Sequence, residues 1–208
     1  MKCFTLLALL GVIGCGSSER SVDIASLERY SNDPENGLVR KRTVNGITTS
    51  IRILPSELCA LREFRMNGDS CANGLETLLA QHRGQVSMTL TFSPDGVRSK
   101  GDIMYSGVAD RTAFINRALA MNFDWQERVE LRCGDVSYHP VLSTLENTYG
   151  LTEGRNIVLV FAPASLSDTA LFASPELDLV LHDDHFGTGT QHFKFDRSDI
   201  EKVPQPKV

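Results

Sequence analysis

Apolar and polar residues alternate without exception from Val86 to Phe92, with Met88 and Leu90 on the apolar side and Ser87, Thr89 and Thr91 on the other. A two-residue period is that of a strand buried on one face. It recurs at Val129, Leu131 and Cys133, at Leu177, Leu179 and Leu181, and at Phe193 and Phe195 about Lys194. Residues 38–44 and 47–54 flank Asn45-Gly46, a pair that tolerates the positive φ of a tight turn, and so predict a β-hairpin. Gly134-Asp135 joins 129–133 to a strand over 136–142 in the same way. The unbroken apolar run 157–161 reads as a strand covered on both faces, at the centre of the sheet.

Three stretches carry helical spacing instead. Pro55, Ser56 and Glu57 suit a first turn, and Leu58, Leu61 and Phe64 follow on one face, which predicts a helix over 56–65. Leu75, Leu78 and Leu79 form a second stripe closed by Gly84. Asp110 is placed to cap a third helix carrying Phe114, Ile115, Ala118, Leu119 and Met121, with Trp125 at its exit. Eight or nine strands and about three short helices, without regular strand-helix alternation, predict an α+β fold with a mainly antiparallel β-sheet or sandwich.

The first residues follow a different pattern. Lys2 precedes an apolar run over 4–13, and Gly14 stands directly before Cys15. The run is shorter than the roughly 20 residues of a spanning helix, and the layout is that of a secretory signal. It resembles a bacterial lipoprotein signal, in which the cysteine at the cleavage point takes a diacylglycerol thioether and its new amino terminus is acylated, with palmitate among the usual chains. The expected organisation is a signal peptide over 1–14, a lipidated tether over 15–26, one globular domain over 27–202 and a flexible tail over 203–208. Lipidation at Cys15 places the domain outside the cytoplasm, held at a membrane on the periplasmic side or the cell surface. A single acyl chain binds membranes only marginally, whereas several hold firmly.

Composition narrows the function classes. A chain of 208 residues that is 41% hydrophobic and 23% charged is an ordinary globular one, large enough for one sizeable core. The net charge of −5 provides no basic footprint for nucleic acid or anionic lipid. Of the five cysteines, removal of Cys3 with the signal and lipidation of Cys15 leave Cys59, Cys71 and Cys133. Cys59 and Cys71 flank a polar turn and are a candidate disulfide, against the alternative of three buried thiols.

Asp33-Pro34-Glu35-Asn36-Gly37-Leu38, the Asn45-Gly46 hairpin, Pro55 with its helix, Glu146-Asn147-Thr148-Tyr149-Gly150, and Phe186-Gly187-Thr188-Gly189 with Phe193 and Phe195 resemble a family of uncharacterised bacterial lipoproteins. The resemblance spans nearly the whole chain beyond the signal. It implies the anchor and the single domain, and its motifs are turns and core aromatics, so it transfers no functional residue.

His182, Asp183, Asp184, His185 and His192 are the sharpest cluster of titratable groups, with side chains of the kind that bind transition metals. Strand alternation points neighbouring side chains to opposite faces, and a solvated acidic turn is the simpler reading. His82, after Leu78 and Leu79, and His139, before Pro140, read as structural. There is no G-x-S-x-G elbow, phosphate loop or EF-hand pattern. Arg40-Lys41-Arg42 reads as a solvated strand edge. No cofactor is indicated. The chain thus reads as a noncatalytic, membrane-anchored envelope lipoprotein that binds envelope partners or serves a structural role. The alternatives are a metal-assisted hydrolase using the His182–His192 segment and a carrier of a small apolar ligand.

Overall fold

The computed structural model describes residues 23–67, 74–147, 152–165 and 167–206. Helix α1 (Ile24–Asn32) precedes a hairpin of β1 (Val39–Val44) and β2 (Ile47–Leu54), then α2 (Ser56–Asn67), α3 (Leu75–Arg83) and β3 (Val86–Pro94). Helix α4 (Arg111–Phe123) and the single turn α5 (Trp125–Arg128) lead into β4 (Val129–Cys133), β5 (Val136–Tyr138), β6 (Leu142–Leu145) and β7 (Arg155–Phe161). The chain closes with α6 (Ala170–Ala173), β8 (Glu176–Asp183), β9 (Gly189–Asp196) and α7 (Arg197–Glu201).

The strands form two sheets, β1-β2-β3-β7-β6 and β5-β4-β8-β9, and every pairing is antiparallel. This is the α+β, mainly antiparallel fold that the alternation indicates. In the first sheet Ile51 lies opposite Leu90, and Leu90 opposite Ile157, so the alternation seen in each strand is locked into one apolar face. In the second, Leu131 faces Leu179 and Leu179 faces Phe193. These inward residues join one continuous core with Trp125, Met121 and Leu27, so the two sheets are the layers of one sandwich.

The structure departs from the pattern at several points. The strand expected over 136–142 divides at His139-Pro140, so that β5 pairs in one sheet and β6 in the other. Proline has no N–H for a ladder, and the chain changes sheets there. Strand β7 is interior but lies fourth, and the centre belongs to β3. Helices α1, α5, α6 and α7 add to the three expected. α1 starts inside the stretch read as a tether, because the Asp23 carboxylate accepts from Ser26 N at 2.7 Å and caps it. At the other end Val203 packs into the core instead of fraying. In α1, Ile24, Leu27 and Tyr30 recur at helical spacing and pack on the core, a pattern that the tether reading passed over.

Arg40 also differs from its solvated reading. Its Nε donates to the Lys194 carbonyl in β9 at 2.9 Å, and its guanidinium stacks over Phe195 at 5.2 Å. The side chain thereby bridges the edge strands β1 and β9 and closes one seam of the sandwich, while Lys41 and Arg42 remain exposed.

Candidate functional site

The loop between β8 and β9 holds the residues singled out for metal chemistry, and each has a different local task. Asp183 ends β8 on the inward face and is 2% exposed. Its Oδ1 accepts from the backbone N–H groups of His185 and Phe186 at 2.9 and 3.1 Å, and its Oδ2 from Thr188 N and Thr188 Oγ1 at 3.0 and 2.5 Å. Four donors hold the carboxylate, so Asp183 folds the loop around itself. Gln191 Nε2 extends the network, donating to Thr188 Oγ1 at 2.7 Å and across the core to Thr49 Oγ1 in β2 at 3.2 Å. The acidic pair is thus divided. Asp183 is buried, and Asp184 is exposed in an ion pair with Arg128 at 3.0 Å.

The fold also separates the histidines. His182 lies on the outer face of β8, with Nδ1 3.0 Å from Thr190 Oγ1. His192 on β9 places its Nδ1 3.0 Å from Asp178 Oδ2. His185 turns inward, edge-on to Trp125 with ring centroids 6.1 Å apart. Burial first, and the Arg128 charge second, hold its pKa below the ordinary histidine value. Its Nε2 is buried and has no hydrogen-bond partner among the described residues. Among those residues no group of three or more His, Cys, Asp or Glu side chains is arranged to hold a metal ion.

A second arginine pins this end of the molecule. Arg117 on α4 donates through Nη1 to the carbonyls of Met104 and Ser106 at 3.2 and 2.5 Å, and through Nη2 to that of His185 at 2.9 Å. Its guanidinium stacks on Phe186 at 5.0 Å, and Phe186 packs in turn on Phe92. Desolvation lowers the Arg117 pKa, and its hydrogen bonds go to backbone oxygens. Phe186-Gly187-Thr188 therefore serves as a structural clasp.

The remaining candidates follow the same trend. His82 Nε2 pairs with Glu63 of α2 at 2.9 Å, tying α3 to α2. His139 Nδ1 sits 3.3 Å from the Val129 carbonyl. Cys59 and Cys133 are free thiols, and burial pushes both up to about 11, away from the reactive thiolate. Cys71 lies outside the described residues, as do Cys15 and Thr148 to Gly150.

The surface carries several hollows. A cleft of about 290 Å³ opens where α2, α3 and α7 meet, lined in part by Glu57, Arg83, Phe172, Arg197 and Gln205. Glu57 is buried there, and its carboxylate accepts from Ser56 Oγ at 3.2 Å and Arg83 at 3.3 Å, so its charge is already matched. A polar groove of about 350 Å³ lies on the outer face of the five-stranded sheet, lined by residues such as Lys41, Ser50, Arg52, Thr91 and Asn156. Sequence reading did not single out this groove, because its residues come from four strands and look in each strand like an ordinary solvated face.

No family model matches the chain, and no curated protein matches it. A solved structure from Burkholderia pseudomallei K96243, described as a novel protein of unknown function, is similar over 90% of this chain and 96% of that one. The identity is 13% and the TM-score 0.34, a likeness that carries no argument about what this chain does. No helix among the described residues is long and apolar enough to cross a membrane.

Proposed function

We propose that this chain is a lipid-anchored lipoprotein of the bacterial cell envelope whose globular domain is noncatalytic and acts in binding or in structure. The observation that carries the reading is the N-terminal pattern of Lys2, the apolar run 4–13 and Gly14-Cys15. The engagement of the Asp183, Arg117 and Glu57 side chains within the chain supports a noncatalytic role. An acid or base needs a free position facing a substrate, and these groups instead hold loops and helices together. Attachment to a membrane raises the local concentration of the domain near envelope partners, so individually weak contacts suffice.

The test is fractionation of cells expressing the wild-type chain and a Cys15→Ser variant without detergent. The wild type is expected in the membrane fraction with a mass increase from its acyl chains, and the variant without that increase in the soluble fraction. Membrane retention of the variant at the wild-type level overturns the reading.

A further inference from the structure

Helix α4 carries an apolar stripe on a side turned away from the core. Ile115, Leu119 and Phe123 recur every fourth residue and are between 44% and 74% exposed. From Thr112 to Phe123 the one charged residue is Arg117, whose guanidinium is held in the clasp. The helix packs beside β6. Leu142, which opens that strand, and Val141 before it are each more than half exposed, and no charge occurs from Val141 to Leu145.

Strand β6 is the last of its sheet, and among the described residues no strand pairs with its outer side. Glu146 N donates to the carbonyl of Asn156, its partner in the continued register, at 2.8 Å. Antiparallel ladders alternate, so Leu142, Thr144 and Glu146 turn their backbone groups to β7, and the N–H and C=O groups of Ser143 and Leu145 face outward. The other edges are guarded. β1 carries Arg40, Lys41 and Arg42, β9 carries His192 and Lys194, and β5 is flanked by α6.

From this open, uncharged edge and the stripe beside it we infer that the α4–β6 face binds a second copy of this chain in a two-fold dimer. Outward N–H and C=O groups call for another strand, which lipid does not provide. A two-fold contact brings each charge near its own like, so in a chain of net charge −5 a patch without charge is the one suited to self-association. Pairing Ser143 with Leu145 of the copy, and Thr144 with Thr144, joins the outward groups of both edges in a register that the symmetry closes on itself. At the rim Leu142 lies opposite Glu146 of the copy, whose carboxylate stays on Asn156 Nδ2, and the two α4 stripes cover the joint. By their exposed fractions Ile115, Leu119, Phe123, Val141 and Leu142 present on the order of 500 Å² of apolar surface, near the roughly 60% apolar share of the about 800 Å² that each partner buries in a standard interface. The inference goes beyond the anchored-domain reading and does not depend on lipidation.

The experiment measures mass by sedimentation equilibrium, for the full chain in a density-matched neutral detergent and for Cys15→Ser in plain buffer, from about 1 to about 100 μM. Both are expected to be dimers at the upper end, which keeps this outcome separate from that of the anchor test. Leu119→Glu and Phe123→Glu, at exposed positions, are each expected to raise the dissociation constant by about tenfold to a hundredfold, with far-ultraviolet circular dichroism unchanged. Under mild oxidation Thr144→Cys is expected to give a covalent dimer, because residues opposite each other without ladder bonds lie about 4.5 Å apart at Cα, within disulfide reach. Wild type and Thr43→Cys, on the exposed side of β1, are expected to stay single chains. Single-chain mass over the whole range, a dimer indifferent to both glutamates, no Thr144→Cys cross-link above that of wild type and Thr43→Cys, or a single chain that binds phosphatidylcholine vesicles through Phe123 each overturns the proposal.

Discussion

Single side chains at the β8–β9 loop show how burial decides protonation. His185 is held against Trp125, with Arg128 and Arg117 disfavouring its charged form and Asp183 and Asp124 favouring it. Burial has the largest effect, so the folded value lies below the ordinary 6.5. A group whose folded pKa is depressed leaves stability intact above its unfolded value, and stability falls as pH drops because the unfolded chain takes the proton first. Urea titrations between pH 7.5 and 5 are expected to show a loss whose slope approaches about 1.4 kcal/mol per pH unit at most. His185→Phe is expected to flatten that part of the profile relative to wild type. Identical slopes in the two proteins would assign the pH dependence to other groups. The residue types at 182–192 were legible as a titratable cluster, but the inward or outward direction of each was set by strand parity and by the Asp183 turn.

At the level of elements, α4 is fastened to the loops below it by one side chain. Arg117 links the α4 helix to the 103–106 turn and the 183–188 loop through backbone carbonyls, and Phe186 completes the clasp. Hydrogen bonds to a charged donor contribute about 1.5–3 kcal/mol each where a partner is left unsatisfied, and partly exposed carbonyls recover some of this from water. Arg117→Met is therefore expected to destabilise the fold by about 2–3 kcal/mol in chemical denaturation. Hydrogen exchange should quicken most in both loops, which open locally, and in β2 and β3 only as far as the lower global stability requires. Faster exchange spread evenly over the sheets would contradict the clasp. The strongly periodic elements, β3 and the α2, α3 and α4 helices, were legible because each has a face patterned enough to identify itself. α1 carried the same kind of signal, Asp23 as a cap and Ile24, Leu27 and Tyr30 on one face, and was passed over because it follows the signal-like segment; α7 is a five-residue helix too short to show a period.

Over the whole molecule, the two sheets share their core. Trp125, 1% exposed, lies within the same cluster as Leu90 of one sheet and Leu179 of the other. Gln191 to Thr49 and Arg40 to Lys194 cross between the layers. Neither sheet can bury its apolar face alone, so unfolding is expected to be one cooperative transition. Trp125 fluorescence and far-ultraviolet circular dichroism should give coincident midpoints in urea. Separate midpoints would mean that the sheets are independent units.

The alternation of side chains was enough to determine the fold class, the tight turns and most strand positions, because period and turn chemistry act over a few neighbouring residues. Tertiary structure alone decided which sheet each strand joins, that Pro140 marks the change of sheet, that Asp183 faces inward while the histidines diverge, and that Lys41, Ser50, Thr91 and Asn156 line one groove. Those facts depend on register between strands up to 115 residues apart in the chain, and register is fixed by packing across the sheet, which no single stretch of sequence contains.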